Sequence, residues 1–221
     1  MILRKCCDSS QRTDKSMTRP AASKVTPKLR KLAEMAGDLR RGKSFAITRL
    51  ITLKSFCDDP DAATQFAVFL AQQAQAALEQ KPRPDCIPAE RWATYRRLAA
   101  EAMRTINTYL DARTEAGARE LHNLRHALEQ LQNQHQSIPY GVARVIENQQ
   151  ALIVETALRI VLAPTGAADW GYQLARMYAE RYNSRYGTGL IPDSAQAVET
   201  IVDFWCRYYF GVALDDWVSR R

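Results

Sequence analysis

The sequence lacks an apolar run long enough to cross a membrane. The longest apolar-leaning stretch, Ala151 to Ala163, is interrupted by Glu155, Thr156 and Arg159. A membrane-spanning helix needs about 20 predominantly apolar residues, so we predict no transmembrane segment. Residues 1–20 contain charges and paired cysteines but no apolar run, which argues against a secretory signal.

Cysteine and histidine are also scarce. The five cysteines are odd in number, widely scattered and without a C-x-x-C pair, which favours a reducing, cytoplasmic setting. The three histidines lie within 14 positions of one another, and no Ser/His/Asp or Cys/His arrangement can be assembled from them. We therefore predict no catalytic residue and no cofactor, and the sequence favours a non-enzymatic protein.

One group of potential metal ligands has helical spacing. His122, His126 and Glu129 fall at i, i+4 and i+7, close enough on one helical face to share a metal. They lie on the side away from a leucine seam that begins at Leu121, so we expect them to face solvent. No histidine has a glutamate three positions before it, as a buried di-metal bundle requires. We predict no metal site.

Helix signals run through most of the chain and predict an all-α fold, an irregular bundle of about seven to eight helices. Thr26-Pro27 predicts the start of a first helix that ends at Gly42, and a mostly buried second helix is expected from about Ser44 to Cys57. Asp59-Pro60 repeats the cap-and-proline signal and opens a third. No alternating strand pattern and no repeat of fixed period is found.

The second half of the chain continues the helical pattern. The predicted helices run from about Pro88 to Ala112, Glu115 to Gln134, Ser137 to just before Pro164, Ala168 to Tyr186 and Asp193 to Phe210. Whether Gly117 separates the first two or they form one rod is left open, because a helical glycine costs only about 1 kcal/mol. We predict a flexible basic tail over residues 1–25 and one helical domain over residues 26–221.

Positive charge is concentrated at the front of the sequence. The first 54 residues hold 14 of the 31 Lys and Arg residues but only four of the 24 acids, a net charge of +10. The remaining 167 residues carry 17 cations and 20 acids, a net charge of −3. Such asymmetry attracts polyanions, because summed charge raises the local concentration of opposite charge.

The basic segment predicts a nucleic acid or another polyanion as a partner. The residues that we expect to contact phosphates are Lys24, Lys28, Arg30 and Lys31. Binding of this kind is salt-sensitive and tolerates many sequences, because each neutralised phosphate releases counterions. Glu34 and Asp38 share the same predicted helix, so intrahelical pairs neutralise part of the charge.

Residues Gly37 to Ser44 satisfy the pattern G-x-x-x-x-G-K-[ST] letter for letter. A phosphate-binding loop of this type follows a buried strand, whereas the upstream residues here are patterned as a charged amphipathic helix. Nucleotide binding is therefore a minor alternative. A less demanding prediction is an anion site at the start of the second helix, formed by Arg40, Arg41, Lys43 and Ser44. It requires that internal carboxylates leave these cations unpaired.

Aromatic residues are concentrated at the other end, where 11 of the 19 Phe, Trp and Tyr residues follow Pro164. Most are expected in the core, but an excess would mark an interface for a protein partner or a second copy. The candidate interface residues are Tyr178, Tyr182, Tyr186, Arg181 and Arg185. A helical adaptor or homo-oligomer that uses this region is the alternative to polyanion binding.

Overall fold

The computed structural model describes residues 19–80, 88–133, 142–180, 189–190 and 192–219. Nearly all of the described residues are helical, which confirms the predicted all-α class. The α-helices are α1 (Arg19–Arg40), α2 (Pro60–Gln80), α3 (Ala89–Ala112), α4 (Glu115–Asn133), α5 (Val142–Leu162), α6 (Ala168–Glu180), α7 (Ala195–Phe210) and α8 (Leu214–Ser219).

Three further elements connect these helices. A long 3₁₀ helix, Ile47–Phe56, lies between α1 and α2, and a short 3₁₀ turn, Pro192–Ser194, precedes α7. The strands β1 (Phe45–Ala46) and β2 (Gly189–Leu190) form an antiparallel pair. The sequence pattern did not predict this pair, because two residues are too few to show alternation.

The first helix starts earlier than predicted. α1 begins at Arg19 and includes Pro27 as an interior residue, so Thr26 is not its N-cap. Residues 19–25 of the predicted tail are therefore helical, while residues 1–18 lie outside the described part of the chain. An interior proline costs about 3 kcal/mol or more. Here α1 packs on α7, and burial of its apolar side chains, Val25 and Leu29 among them, offsets that cost.

The expected second helix is a 3₁₀ helix that starts at Ile47 rather than at Ser44. Its buried residues recur at every third position: Ile47, Leu50, Leu53 and Phe56. In a 3₁₀ helix side chains at i and i+3 eclipse one another, so this spacing aligns one apolar edge with the core. An α-helix would spread the same residues around its axis, which is why the sequence suggested burial on nearly all sides.

Local caps define two other helix boundaries. The carboxylate of Asp59 accepts the backbone N–H of Asp61 at 2.9 Å, which confirms the predicted cap of α2. The chain breaks between α3 and α4 at Arg113, whose φ is +48°, so residues 88–133 form two helices. The hydroxyl of Thr114 then accepts the N–H of Gly117 at 3.1 Å and caps α4.

The helices pack around α5, which contacts α2, α3, α4 and α6. α7 packs on α1 and α6, and its fully buried Trp205 joins the two groups of helices. The Trp205 ring centroid lies 5.2 Å from that of Phe56 and 4.8 Å from that of Phe66. None of the helices in the described ranges combines the length and apolar character that a membrane span requires.

Candidate functional site

The exposed face of α1 holds the predicted polyanion contacts. Lys24, Arg30 and Lys31 are exposed, because the opposite face of the helix is buried against α7. None of the three pairs with a carboxylate among the residues that the structure describes. Lys28 is partly buried, and its Nζ donates to the Ser55 hydroxyl at 2.7 Å. Within the described residues, Lys24, Arg30 and Lys31 are therefore exposed cations without a carboxylate partner.

The cations at the C-terminal end of α1 are all paired. Arg40 donates through two nitrogens to both carboxylate oxygens of Glu199, which lies on α7. Arg41 and Lys43 both contact Asp38, Lys43 at 3.1 Å. Hydrogen bonds from Arg41 and then from Lys43 lower the pKa of Asp38. The requirement for unpaired cations is not met here, and the Asp215 carboxylate adds a further attraction for Arg40.

The backbone between Gly37 and Ser44 also differs from a phosphate-binding loop. The N–H groups of Gly42 and Lys43 donate to carbonyls of α1 at 3.0 and 3.1 Å, and Gly42 has a φ of +87°. These amides end the helix and are not available to cradle an anion. The order is helix, turn and strand, whereas a phosphate loop needs strand, loop and helix. Ser44 is exposed and does not begin a helix.

The predicted aromatic interface is described only at Tyr178. This residue is 1% exposed and belongs to the core, so its ring is not available to a partner in this conformation. Tyr182, Tyr186, Arg181 and Arg185 lie outside the described residues. The aromatic side chains of α7 pack largely on one another and on the core.

The histidine group on α4 has the predicted exposed position. His122 and His126 are exposed, and His126 Nδ1 lies 3.6 Å from a Glu129 oxygen. No group of three or more potential metal ligands occurs within the described ranges. Glu129 instead faces Arg125 and Arg159 at 3.6 and 3.7 Å.

A pocket that the sequence did not predict lies between α5, α6 and the 3₁₀ helix. Its volume is about 570 Å³. The residues that line it are Lys54, Leu152, Glu155, Thr156, Arg159, Asp169, Trp170, Tyr172, Gln173 and Met177. The 3₁₀ helix supplies Lys54, α5 supplies the next four and α6 supplies the rest. Trp170 is 43% exposed, whereas the other three tryptophans are at most 8% exposed.

The charged side chains that line this pocket form ion pairs. Glu155 is 3% exposed and accepts a hydrogen bond from Arg159 Nε at 2.5 Å, while Arg125 of α4 lies 3.7 Å away. Burial raises the pKa of the Glu155 carboxyl, and the two arginines oppose that shift. The Arg159 guanidinium lies 5.2 Å from the Trp170 ring centroid, and Lys54 pairs with Asp169 at the pocket mouth.

The sequence carries only a partial signal of this pocket. Glu155 and Arg159 are four residues apart in an otherwise apolar stretch, a spacing that predicts an ion pair, and charged residues are rarely buried unless they are paired. Only the fold shows that α6 brings Trp170 and Asp169 beside them. When the chain is compared with known protein families, curated proteins and solved structures, none of them matches.

Proposed function

We propose that this protein binds a polyanion, in the first place nucleic acid, through the exposed face of α1. The observation that carries the proposal is the set of exposed cations Lys24, Arg30 and Lys31, which form no ion pair with a carboxylate of the described residues. Lys24 and Lys31 are seven residues apart, about 10 Å along the helix axis, and point in nearly the same direction. The positive electrostatic field of these side chains extends into solvent, because α7 packs on the opposite face of α1.

The charge of the preceding segment supports the same proposal. Residues 1–18 add four cations and two acids to the sequence before α1 begins. The corner at Arg40, Arg41 and Lys43 contributes less, because Glu199 and Asp38 neutralise most of its charge. Phosphate contacts of this kind carry no base specificity, so we expect similar affinity for unrelated sequences.

The test measures the dissociation constant for mixed-sequence duplex DNA at several salt concentrations. Each phosphate contact adds about 0.9 to the slope of log affinity against log salt. Replacing Lys24, Arg30 and Lys31 together by Gln is expected to reduce that slope by about two to three. The matched control replaces Arg40, Arg41 and Lys43 by Gln. It removes the same charge and is expected to change the slope by about one or less.

Two results would contradict the proposal. Affinity that is independent of salt would show that phosphate neutralisation does not drive binding. Equal losses in the two triple variants would show that net charge, and not the face of α1, determines affinity. A stable dimer that is indifferent to nucleic acid would favour the adaptor hypothesis instead.

A further inference from the structure

The pocket between α5, α6 and the 3₁₀ helix has the size and chemistry of a small-molecule site. We propose that it binds a small aromatic zwitterion of the α-amino-acid class. Its volume of about 570 Å³ lies within the range of about 300–1,000 Å³ that is usual for such sites. This volume accommodates one amino acid with an aromatic side chain.

The wall of the pocket favours an aromatic ring. Leu152, Tyr172 and Met177 provide apolar surface, and Trp170 keeps 43% of its surface exposed beside them. Exposed indole surface is unfavourable in water, and a second ring that stacks on it removes both surfaces from solvent. The guanidinium of Arg159 lies 5.2 Å from the Trp170 ring centroid, and the exposed remainder of the indole is the surface on which a ligand ring would stack.

The mouth of the pocket offers one charge of each sign. Lys54 of the 3₁₀ helix and Asp169 of α6 pair with each other there, and their side chains are 40% and 76% exposed. An ion pair in such contact with water contributes little to stability, so separating its partners is easy. A zwitterion replaces both partners, because its ammonium group binds Asp169 while its carboxylate binds Lys54.

The charges deeper in the pocket exclude a strong preference for polyanions. The four charged lining residues are two cations and two acids, so the site is close to neutral overall. Glu155 and Arg159 remain bonded to each other, and Arg125 and Glu129 complete the network behind them. The pocket therefore differs in chemistry from the exposed face of α1.

Three ligands with the same ring test the proposal. L-phenylalanine carries both charges, phenylethylamine lacks the carboxylate, and phenylpropanoate lacks the ammonium group. Binding is measured by calorimetry with the full chain. It is also measured as a ligand-induced change in tryptophan emission, and Trp170→Phe should abolish the part of that change that comes from Trp170. We expect L-phenylalanine to bind about fivefold tighter than either analogue, the ratio that one exposed ion pair supplies.

Two variants assign each charge to its partner. Asp169→Asn is expected to weaken L-phenylalanine about fivefold and not to weaken phenylpropanoate, because it also frees Lys54 from its partner. Lys54→Gln is expected to weaken L-phenylalanine by the same factor and not to weaken phenylethylamine, because it frees Asp169. Arg96→Gln on the exposed face of α3 removes a charge outside the pocket and should alter none of the three affinities.

The proposal is overturned if none of the three ligands binds, or if all three bind equally. It is also overturned if each variant weakens all three ligands alike, because Asp169 and Lys54 would then not each recognise one charge of the ligand. These outcomes leave the salt-dependent binding assigned to α1 unaffected, since Lys24, Arg30 and Lys31 do not line the pocket.

Discussion

Gly171 marks a very close approach between α6 and the segment that follows the 3₁₀ helix. A Cβ atom placed on Gly171 would lie 2.3 Å from the Cys57 sulfur and 2.8 Å from the Cys57 Cβ atom. Both distances are far inside the roughly 3.5–4.0 Å of an ordinary nonbonded contact. Cys57 is only 1% exposed, so its side chain cannot turn into solvent to relieve the overlap. The backbones must separate instead.

We therefore expect Gly171→Ala to destabilise the protein. Overpacking of this severity costs about 3 kcal/mol, the upper end of its usual range. Alanine recovers about 1 kcal/mol because it is a better helix former than glycine. The net loss in the free energy of unfolding is then about 2 kcal/mol, which corresponds to a fall in Tm of roughly 4–8 °C for a chain of this size.

Urea denaturation followed by circular dichroism measures the loss. The matched control is Gly37→Ala in α1, where the added Cβ would meet only the Arg41 guanidinium at 3.6 Å. That variant should be more stable than the parent by up to about 1 kcal/mol. It also alters the first glycine of the phosphate-loop pattern, so a gain in stability fits a helical Gly37.

Two results would refute the argument from close contact. The first is a Gly171→Ala variant as stable as Gly37→Ala. The second is a failure of Cys57→Gly to offset the change: the double variant Cys57→Gly/Gly171→Ala removes both clashing atoms, so Gly171→Ala should cost far less in that background.

Three further predictions concern the core and the helix boundaries. Burial raises the pKa of Glu155, so the folded chain holds this proton at a higher pH than the unfolded chain, and stability falls as pH rises from the unfolded to the folded pKa. Urea denaturation at several pH values should show a steeper fall for the parent than for Glu155→Gln, and equal slopes would exclude a raised pKa. Leu50→Ala should lower the free energy of unfolding by about 2–5 kcal/mol, because Leu50 is 0% exposed. Ile51→Ala should change it by no more than about 0.5 kcal/mol, because Ile51 is 51% exposed. Comparable losses in the two variants would contradict the 3₁₀ helix. Thr114→Ala should lower the free energy of unfolding by about 0.5–2 kcal/mol, because it removes the cap of α4. The control is Thr108→Ala, because the Thr108 hydroxyl only donates to a backbone carbonyl on an exposed helix face. Thermal unfolding should show a change of about 0.5 kcal/mol or less for this control.

The two ends of α1 show why a basic sequence does not by itself define a basic surface. Lys24 and Lys31 are exposed without a carboxylate partner in the described chain, although Glu34, three residues after Lys31, was an expected intrahelical partner. Arg40 looked equally available, but its partner Glu199 is 159 residues away in the sequence. Only Asp38, within five residues of Arg41 and Lys43, was visible as a local partner.

The helical class and several boundaries could be predicted from the sequence because their causes are local. The Asp59 cap, the end of α1 near Gly42 and the helix after Pro88 depend on residues within about one or two turns. The start of α1 could not be predicted in this way. The interior Pro27 is a local signal for a helix start, but the helix continues upstream of it, where Val25 is buried in the core.

Sequence alone determined that this chain is built from helices and that its cations are gathered at the front. The tertiary structure decided which of those cations stay exposed, that residues 47–56 form a 3₁₀ helix and that Trp170 and Lys54 meet Glu155 in one pocket. The physical reason is the distance along the sequence over which each kind of interaction acts. Helix periodicity and capping act within a few residues, whereas ion pairing, burial and pocket shape depend on side chains that only packing brings together.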